Sequence, residues 1–235
     1  KVGVGEVAQL ARAMGVRDSK LELVPSLALG TSPVTLKEMV SAYGTIANGG
    51  RYFEPLMVTR IEDRNGKLIE EFAPADGEQA LSKAVAYTLL DTMRGVINRG
   101  TGSAIRSRFG IRADVAGKTG TTNDANDAWF TGFQPKLVAV VWIGFDQPKS
   151  LGGRETGGAA ALPVWVNFMA KALKDQPEYE YPVPEGILVQ TLQTEKGPRT
   201  EYFLNEFPQT NPELGLGGGS GASTAPIDEI KDLLF

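Results

Sequence analysis

The sequence predicts an α/β fold built on antiparallel strands. Two strand candidates, 128–133 and 137–145, are joined by the short turn Gln134-Pro135-Lys136, so we expect them to pair as antiparallel neighbours. A third candidate, 114–121, comes directly before them. Segments with apolar residues at helical spacing lie on both sides of the three strands, which indicates helices packed against a sheet.

The N-terminal part predicts two helices with a loop between them. The first covers about residues 6–14 and ends at Gly15, which serves as a stop signal. The proline-flanked segment 25–33 is predicted to be a loop. Residues 35–38, Thr-Leu-Lys-Glu, have the spacing of a capping box, so a second helix should begin there and end at 48–50, Asn-Gly-Gly.

Two further helices are predicted on either side of the strands. Ser82 can cap the first of them, and the Gly-Thr-Gly at 100–102 should break it. Its buried side is predicted to carry five apolar residues: Val85, Leu89, Met93, Val96 and Ile97. The last helix covers 162–173 and is started by Pro163.

Hairpins and a tail complete the chain. Residues 57–72 alternate loosely around Asn65-Gly66, a strong short hairpin signal. The segment 177–184 is rich in proline and reads as a linker, and 186–207 should form a small hairpin around Glu195-Lys196-Gly197. The Gly- and Ser-rich part of 211–235 is predicted to be disordered.

Composition excludes several classes of function. A net charge of -4 and a pI of about 5.1 argue against a nucleic-acid partner, which usually requires a basic face. The chain has no cysteine and no histidine, so it can form neither a thiolate zinc site nor a Ser-His-Asp triad. Proton transfer would have to use Lys, Asp, Glu, Tyr or water, and nothing in the sequence indicates a metal or a cofactor.

The segment AGKTGTTNDANDAWFTGF carries the clearest chemical signal, centred on Lys118. A phosphate-binding loop would need glycine at position 112, which is Arg112, and Gly110 is two residues too early. A surface lysine beside glycines remains the plain alternative. Lys-Thr-Gly on a strand is instead part of the signature of serine acyltransferases of the β-lactamase and penicillin-binding type, whose chemistry needs no histidine.

Such a strand suits a peptide that ends in a carboxylate. Its edge can pair with an extended peptide, and threonine hydroxyls and a lysine can hold the carboxylate. A main-chain N–H of the strand can stabilise a developing oxyanion. Gly120 has no Cβ, so a ligand can lie close to the strand. Trp129, Phe130 and Trp142 are expected to be mainly packing residues.

The sequence resembles the transpeptidase domain of class A (bifunctional) penicillin-binding proteins of the 1A type. The resemblance rests on four segments together: PSLALGTSPVTLKEMVSAYGTIANGG, RGVINRGTGSAI, AGKTGTTNDANDAWFTGF and LVAVVWIGFD. It implies the penicillin-binding-protein/serine β-lactamase-like fold, with an antiparallel sheet between helical layers. It also implies that 1–176 is the C-terminal part of that domain. Composition predicts that 177–210 is a linker with a small β extension and that 211–235 is a disordered Gly- and Ser-rich tail.

The resemblance implies D,D-transpeptidation, in which a serine attacks a D-Ala-D-Ala peptide and the acyl group passes to an amine of a neighbouring stem peptide. Lys118 would shape the site electrostatically, while Thr119 and Thr121 would bind the substrate carboxylate. The N–H of Thr121 would be an oxyanion donor, and Gly120 would give access. The implied partners are peptidoglycan stem peptides and β-lactam antibiotics. The implied location is the periplasmic face of the bacterial inner membrane, through an anchor upstream.

One departure from the family pattern is large. No serine of the chain is followed three residues later by lysine, and no S-x-N occurs. We therefore expect a domain truncated at its N-terminus that lacks the nucleophile and is inactive alone. Two other readings stay open: a fragment of a serine β-lactamase or D,D-carboxypeptidase, and a non-catalytic module that binds peptides.

Overall fold

Helices and strands follow the predicted order in the computed structural model, which describes residues 2–194 and 197–207. The predicted tail 211–235 lies outside the described residues, as do the turn residues Glu195 and Lys196. Within the described part the α-helices are α1 (Val4–Ala13), α2 (Leu36–Ala47), α3 (Lys83–Arg99), α4 (Ala104–Ser107) and α5 (Leu162–Ala172). The strands are β1 (Arg51–Tyr52), β2 (Arg60–Glu62), β3 (Leu68–Glu71), β4 (Glu78–Gln79), β5 (Ala116–Thr121), β6 (Ala128–Gln134), β7 (Leu137–Ile143), β8 (Ile187–Thr194) and β9 (Gly197–Leu204).

The central sheet has the order β5-β6-β7, and both pairs are antiparallel. Lys118 lies opposite Thr131, which in turn lies opposite Val140. The predicted antiparallel pairing of the strands 128–133 and 137–145 is confirmed, and the predicted strand that carries Lys118 joins them as β5 beside β6. Among the described residues β5 is an edge strand, so one side of its main chain faces away from the sheet.

Helices cover both faces of this sheet, as expected. On one face Phe133 of β6 packs in a cluster with Ile46 of α2 and Met93 of α3. On the other face Phe130 meets Trp165 of α5, with ring centroids 5.1 Å apart. Because successive residues of a strand point to opposite faces, the aromatic pattern of β6 serves both layers at once.

Close packing at the sheet centre depends on the absence of a side chain at Gly132. A Cβ there would lie 2.5 Å from the Trp165 ring. The indole N–H of Trp165 reaches the carbonyl oxygens of Gly132 and Ala139, each at 3.2 Å. A buried indole N–H is therefore satisfied by the sheet itself.

The predicted capping box of α2 is present and does more than cap the helix. The Glu38 carboxylate accepts the main-chain N–H of Thr35, and it also accepts the N–H groups of Asp18 and Ser19 at 2.9 and 2.7 Å. Glu38 is 1% exposed. Burial opposes its ionisation, but hydrogen bonds from Ser19 and Thr35 outweigh that effect and lower the pKa of Glu38 to about 2. The loop between α1 and α2 is therefore anchored at both ends on one carboxylate.

Two predictions for the helical part need correction. Leu89 of α3 is 37% exposed, and the buried stripe instead runs through Ala86, Leu90, Met93 and Ile97. These positions follow the i, i+4, i+7, i+11 spacing of one helix face, whereas Leu89 belongs to the next row. The segment predicted as a loop at 25–33 begins with the 3-10 helix Pro25–Leu29, which Gly30 ends in a left-handed conformation.

Both predicted hairpins form. The β2–β3 pair surrounds Asn65-Gly66, and its residues are exposed. The β8–β9 pair lies beside α3, where Tyr202 meets Tyr87 with ring centroids 5.3 Å apart. In residues 2–194 and 197–207, no helix is both long enough and apolar enough to cross a membrane.

Candidate functional site

The Lys-Thr-Gly-Thr sequence lies on β5, at the wall of a cavity of about 700 Å³. One side of the cavity is apolar and comes from α1, the anchored loop and α2, including Leu21, Leu27 and Val34. The other side is the polar end of the sheet, where Lys118, Thr119, Gly120 and Thr121 line the cavity. A strand, and not a loop entering a helix, carries Lys118, which removes the phosphate-loop reading.

Lys118 and the two threonines point to opposite faces of the sheet. Lys118 and Gly120 share a face with their cross-strand partners Thr131 and Trp129. Thr119 and Thr121 lie on the other face, toward the helical turn that precedes α5. The predicted site residues are therefore brought together along one strand edge, although their side chains approach that edge from two sides.

The ammonium group of Lys118 is available to a ligand. The side chain is exposed, and its Nζ donates to the carbonyl oxygen of Thr119 at 2.7 Å. Within the described residues Lys118 forms no ion pair. On the same face burial raises the pKa of the Tyr43 hydroxyl, which hydrogen bonding with Thr131 partly opposes. Tyr43 therefore stays neutral and adds no negative charge beside Lys118.

The two threonine hydroxyls are oriented by neighbours. Thr119 Oγ1 lies 2.7 Å from Thr101 Oγ1, and Thr121 Oγ1 accepts the main-chain N–H of Gly157 at 3.0 Å. Because a hydroxyl that accepts one bond still has its own proton to donate, Thr121 can donate to a ligand oxygen. Thr119 can do the same when Thr101 is the donor in the bond between their hydroxyls.

The main-chain bonding beyond β5 shows which amides face outward. The N–H of Thr122 donates to the carbonyl oxygen of Asp127 at 3.2 Å, which continues the ladder with β6. In an antiparallel pair, residues that exchange hydrogen bonds alternate with residues that do not. Gly120 and Lys118 therefore direct their amides to β6, whereas Thr121 and Thr119 direct theirs to the free edge. An outward N–H at Thr121 is what an oxyanion donor requires.

Two glycines let the structure close tightly behind this edge. A Cβ on Gly157 would lie 2.3 Å from the carbonyl oxygen of Trp129 and 2.4 Å from that of Gly120. A Cβ on Gly120 would lie 3.1 Å from Trp129 Cβ. Gly157 thus lies directly on the strand pair, and its N–H reaches Thr121 only for that reason.

The aromatic residues divide into one core residue and two wall residues. Phe130 is fully buried, which confirms its predicted packing role. Trp129 and Trp142 are cross-strand partners with ring centroids 6.2 Å apart, but they are only half-buried and line the cavity. Trp129 and Trp142 therefore pack against each other, as expected, but they also form part of the cavity wall. Trp142 Nε1 also donates to Asp127 Oδ1 at 2.7 Å.

Sequence reasoning missed three residues that the fold brings to the site. Thr101 was seen only as part of a helix-breaking Gly-Thr-Gly, and Gly157 and Asp127 were not singled out. The Gly-Gly at 157–158 and the Asp before the Trp-Phe pair are visible signals. The contacts of Thr101 with Thr119, Asp127 with Trp142 and Gly157 with Thr121 join residues 15 to 36 positions apart, so these contacts could not be read from spacing.

The chain matches a known protein family and shares its sequence with curated relatives. The model of the penicillin binding protein transpeptidase domain matches residues 5–170. Penicillin-binding protein 1A of Neisseria lactamica is 38% identical over 235 residues, which cover 98% of this chain and 28% of that protein. Penicillin-binding protein 1A of Pseudomonas aeruginosa is 33% identical over 287 residues, covering 97% of this chain and 34% of that protein.

Solved structures give the same picture. Penicillin-binding protein 1A from Haemophilus influenzae superposes with a TM-score of 0.80 at 26% identity, covering 89% of this chain and 38% of that one. The penicillin-binding protein PonA1 from Mycobacterium tuberculosis gives 0.64 at 26% identity, covering 77% and 56%. The chain thus spans about a third or less of the curated relatives it matches.

Proposed function

This chain belongs to the penicillin-binding protein transpeptidase domain family, and from that premise we propose that it forms the carboxylate-binding part of a peptidoglycan D,D-transpeptidase site. The reaction is serine acyl transfer from a stem peptide ending in D-Ala-D-Ala, which cross-links the bacterial cell wall. The observation that carries the proposal is the outer edge of β5, where Lys118 forms no ion pair with any described residue and the main chain of Thr121 faces away from β6.

Each group on this edge has a role. The hydroxyls of Thr119 and Thr121 donate to the terminal carboxylate of the peptide, and the Lys118 ammonium adds positive potential beside it. The N–H of Thr121 donates to the oxygen that gains negative charge when the scissile carbonyl is attacked. Such preorganised donors contribute about 3 kcal/mol to the transition state. Gly120 lets the peptide backbone approach the strand.

The nucleophile lies outside this chain. Transfer needs a serine whose proton is accepted by a nearby lysine, and neither S-x-x-K nor S-x-N occurs in the 235 residues. We therefore expect the chain to bind a peptide but to form no acyl adduct. After incubation with a fluorescent penicillin, its intact mass should remain unchanged, and an added mass equal to that of the penicillin would contradict this assignment.

The same groups would hold a β-lactam, whose carboxylate lies beside a strained amide. We place the site on the periplasmic face of the inner membrane, because the stem peptides of the cell wall are located there.

The transpeptidase is favoured over two alternatives. The relatives and solved structures described above are named as penicillin-binding proteins, which disfavours a serine β-lactamase or a D,D-carboxypeptidase fragment. A module that only binds peptides would use the same edge. The two differ in one test. When the chain is joined to a segment that carries the S-x-x-K serine, a transpeptidase becomes acylated by a penicillin, whereas a peptide-binding module does not.

A peptide titration tests the proposal on this chain. Diacetyl-L-Lys-D-Ala-D-Ala, added to ¹⁵N-labelled protein, should shift the amide signals of β5, with a dissociation constant in the millimolar range because only part of a pocket is present. The matched peptide with a C-terminal amide lacks the carboxylate and should bind at least about fivefold more weakly. Equal binding of the two peptides would overturn the assignment of this edge as a carboxylate site.

A further inference from the structure

Asp127 is a half-buried carboxylate in the wall of the cavity. It forms no ion pair with any lysine or arginine in the part of the chain that the structure describes. A half-buried negative charge without a cationic partner is costly unless donors or a ligand compensate it. The hydrogen-bond donors around Asp127 therefore determine how many acceptor positions of its carboxylate are left for a ligand.

Two donors hold this carboxylate in one orientation. Trp142 Nε1 donates to Oδ1 at 2.7 Å, and the Thr122 hydroxyl lies 3.2 Å from Oδ2. The main-chain N–H of Asp127 donates in turn to the Thr122 hydroxyl at 2.8 Å. Each carboxylate oxygen can accept two hydrogen bonds, so one further donor can be taken on each side. Both partners are neutral, which leaves the full negative charge.

Two indole rings lie on the same face of the sheet. Trp129 is paired with Trp142, and Asp127 lies directly before β6, where the bond from Thr122 N–H continues the ladder, so it projects to the same side as Trp129. Indole is the best aromatic partner for a cation, because the face of the ring carries a negative potential. The Trp142 N–H points at Asp127, so the carboxylate lies at the edge of that ring, and a cation bound to Asp127 would reach a ring face from the cavity that both indoles line.

The cavity is therefore polarised along the strand. Thr122, which is hydrogen-bonded to Asp127, lies four residues beyond Lys118, or about 13 Å along β5 at the usual rise per residue. Gly120 lies between them and presents no side chain. An anionic group is attracted to the Lys118 end, and a cationic group is attracted to the Asp127 end.

We propose that Asp127, together with the rings of Trp129 and Trp142, binds a primary ammonium group. The evidence for this ammonium-binding site is the arrangement of residues in the cavity. Its biological ligand rests on the proposed function: the ammonium would belong to the amine-bearing side chain of the neighbouring stem peptide that accepts the acyl group. The two ends of the cavity would then hold the two peptides of one cross-link.

Butylammonium chloride is a direct probe. In ¹⁵N-labelled protein the indole N–H signal of Trp142, assigned with Trp142→Phe, should shift on titration, while that of the buried Trp165 should not. In Asp127→Asn the dissociation constant should rise at least about fivefold. Asp124→Asn is the matched control, since Asp124 is exposed in the same loop and lines no part of the cavity. It should bind as the unchanged chain does.

The outcomes separate this inference from the proposed function. Equal butylammonium affinity in Asp127→Asn and Asp124→Asn would overturn the ammonium site. If Asp127→Asn loses its fold, Trp129→Leu serves instead, because it removes one ring without touching the hydrogen bonds of Asp127, and no loss of affinity there would also overturn it. Sodium acetate at equal ionic strength tests the Lys118 end. Failure of acetate alone would count against the proposed function and leave the ammonium site standing.

Discussion

Thr122 donates its main-chain N–H to the carbonyl oxygen of Asp127 at 3.2 Å, and this bond determines which edge the amides of β5 face. Because hydrogen-bonded and non-bonded pairs alternate, the amides of Thr119 and Thr121 remain free. The same two residues are linked through their side chains. The residue that would bind an ammonium thus holds the C-terminal end of the strand whose Lys118 end would bind a carboxylate.

Lys118→Ala should weaken binding of diacetyl-L-Lys-D-Ala-D-Ala to this chain by about tenfold. The reason is the loss of one charge-assisted interaction on a partly exposed edge, about 1.4 kcal/mol. Amide shifts in a peptide titration measure the effect. Lys67→Ala removes an equal charge from the exposed β2–β3 turn and should change nothing. Equal losses in both variants would show that only net charge matters.

Gly157→Ala should destabilise the domain by about 2 kcal/mol, as overpacking does in a tight contact. The added Cβ would meet two main-chain oxygens at 2.3 and 2.4 Å, and main chain cannot move aside as a flexible side chain can. Gly153→Ala is the control, because a Cβ there has no atom within 4 Å. Urea unfolding of the two variants gives the comparison. A Gly157→Ala domain as stable as the control would refute the described closeness of Gly157 to the sheet.

Glu38→Gln should cost about 2 kcal/mol at pH 7, because Gln cannot accept all the hydrogen bonds of the buried carboxylate. The folded pKa of about 2 lies below the ordinary value of 4.5, so the ionised form stabilises the fold. That contribution is present above pH 4.5 and is lost as the pH falls toward 2. The difference between the two proteins should therefore shrink on acidification.

Urea unfolding at several pH values between 7 and 2.5 measures this difference. The exposed Glu70→Gln serves as control and should show little change at any pH. A constant difference between the native chain and Glu38→Gln across this range would mean that the Glu38 pKa is not lowered.

The sequence was informative where a local rule decides the structure. The Thr35–Glu38 capping box and the turn at Asn65-Gly66 were predicted because each depends on residues within a few positions. The pairing of β6 with β7 followed from the short turn at 134–136, whereas the place of β5 in the same sheet followed from the family resemblance. The phase of α3 was predicted less well: Leu89 is apolar, yet the neighbouring row that includes Leu90 is the one that meets the sheet.

The sequence predicted the site residues on β5, but it did not predict the residues that surround them. Lys118 to Thr121 could be recognised from four consecutive residues. Thr101, Asp127 and Gly157 act through contacts with distant parts of the chain, and such contacts depend on how the layers pack. The second role of Glu38, as an anchor for the loop that forms the cavity wall, also depends on residues about 20 positions away.

Amide hydrogen exchange of the β5 residues tests the central claim most directly. In the free chain, the amides of Lys118 and Gly120 should be protected by β6, whereas those of Thr119 and Thr121 should exchange rapidly. Saturating diacetyl-L-Lys-D-Ala-D-Ala should slow exchange at Thr119 and Thr121. The claim that this edge receives the substrate would be contradicted if these two amides were already protected without peptide, or if the peptide left their exchange unchanged.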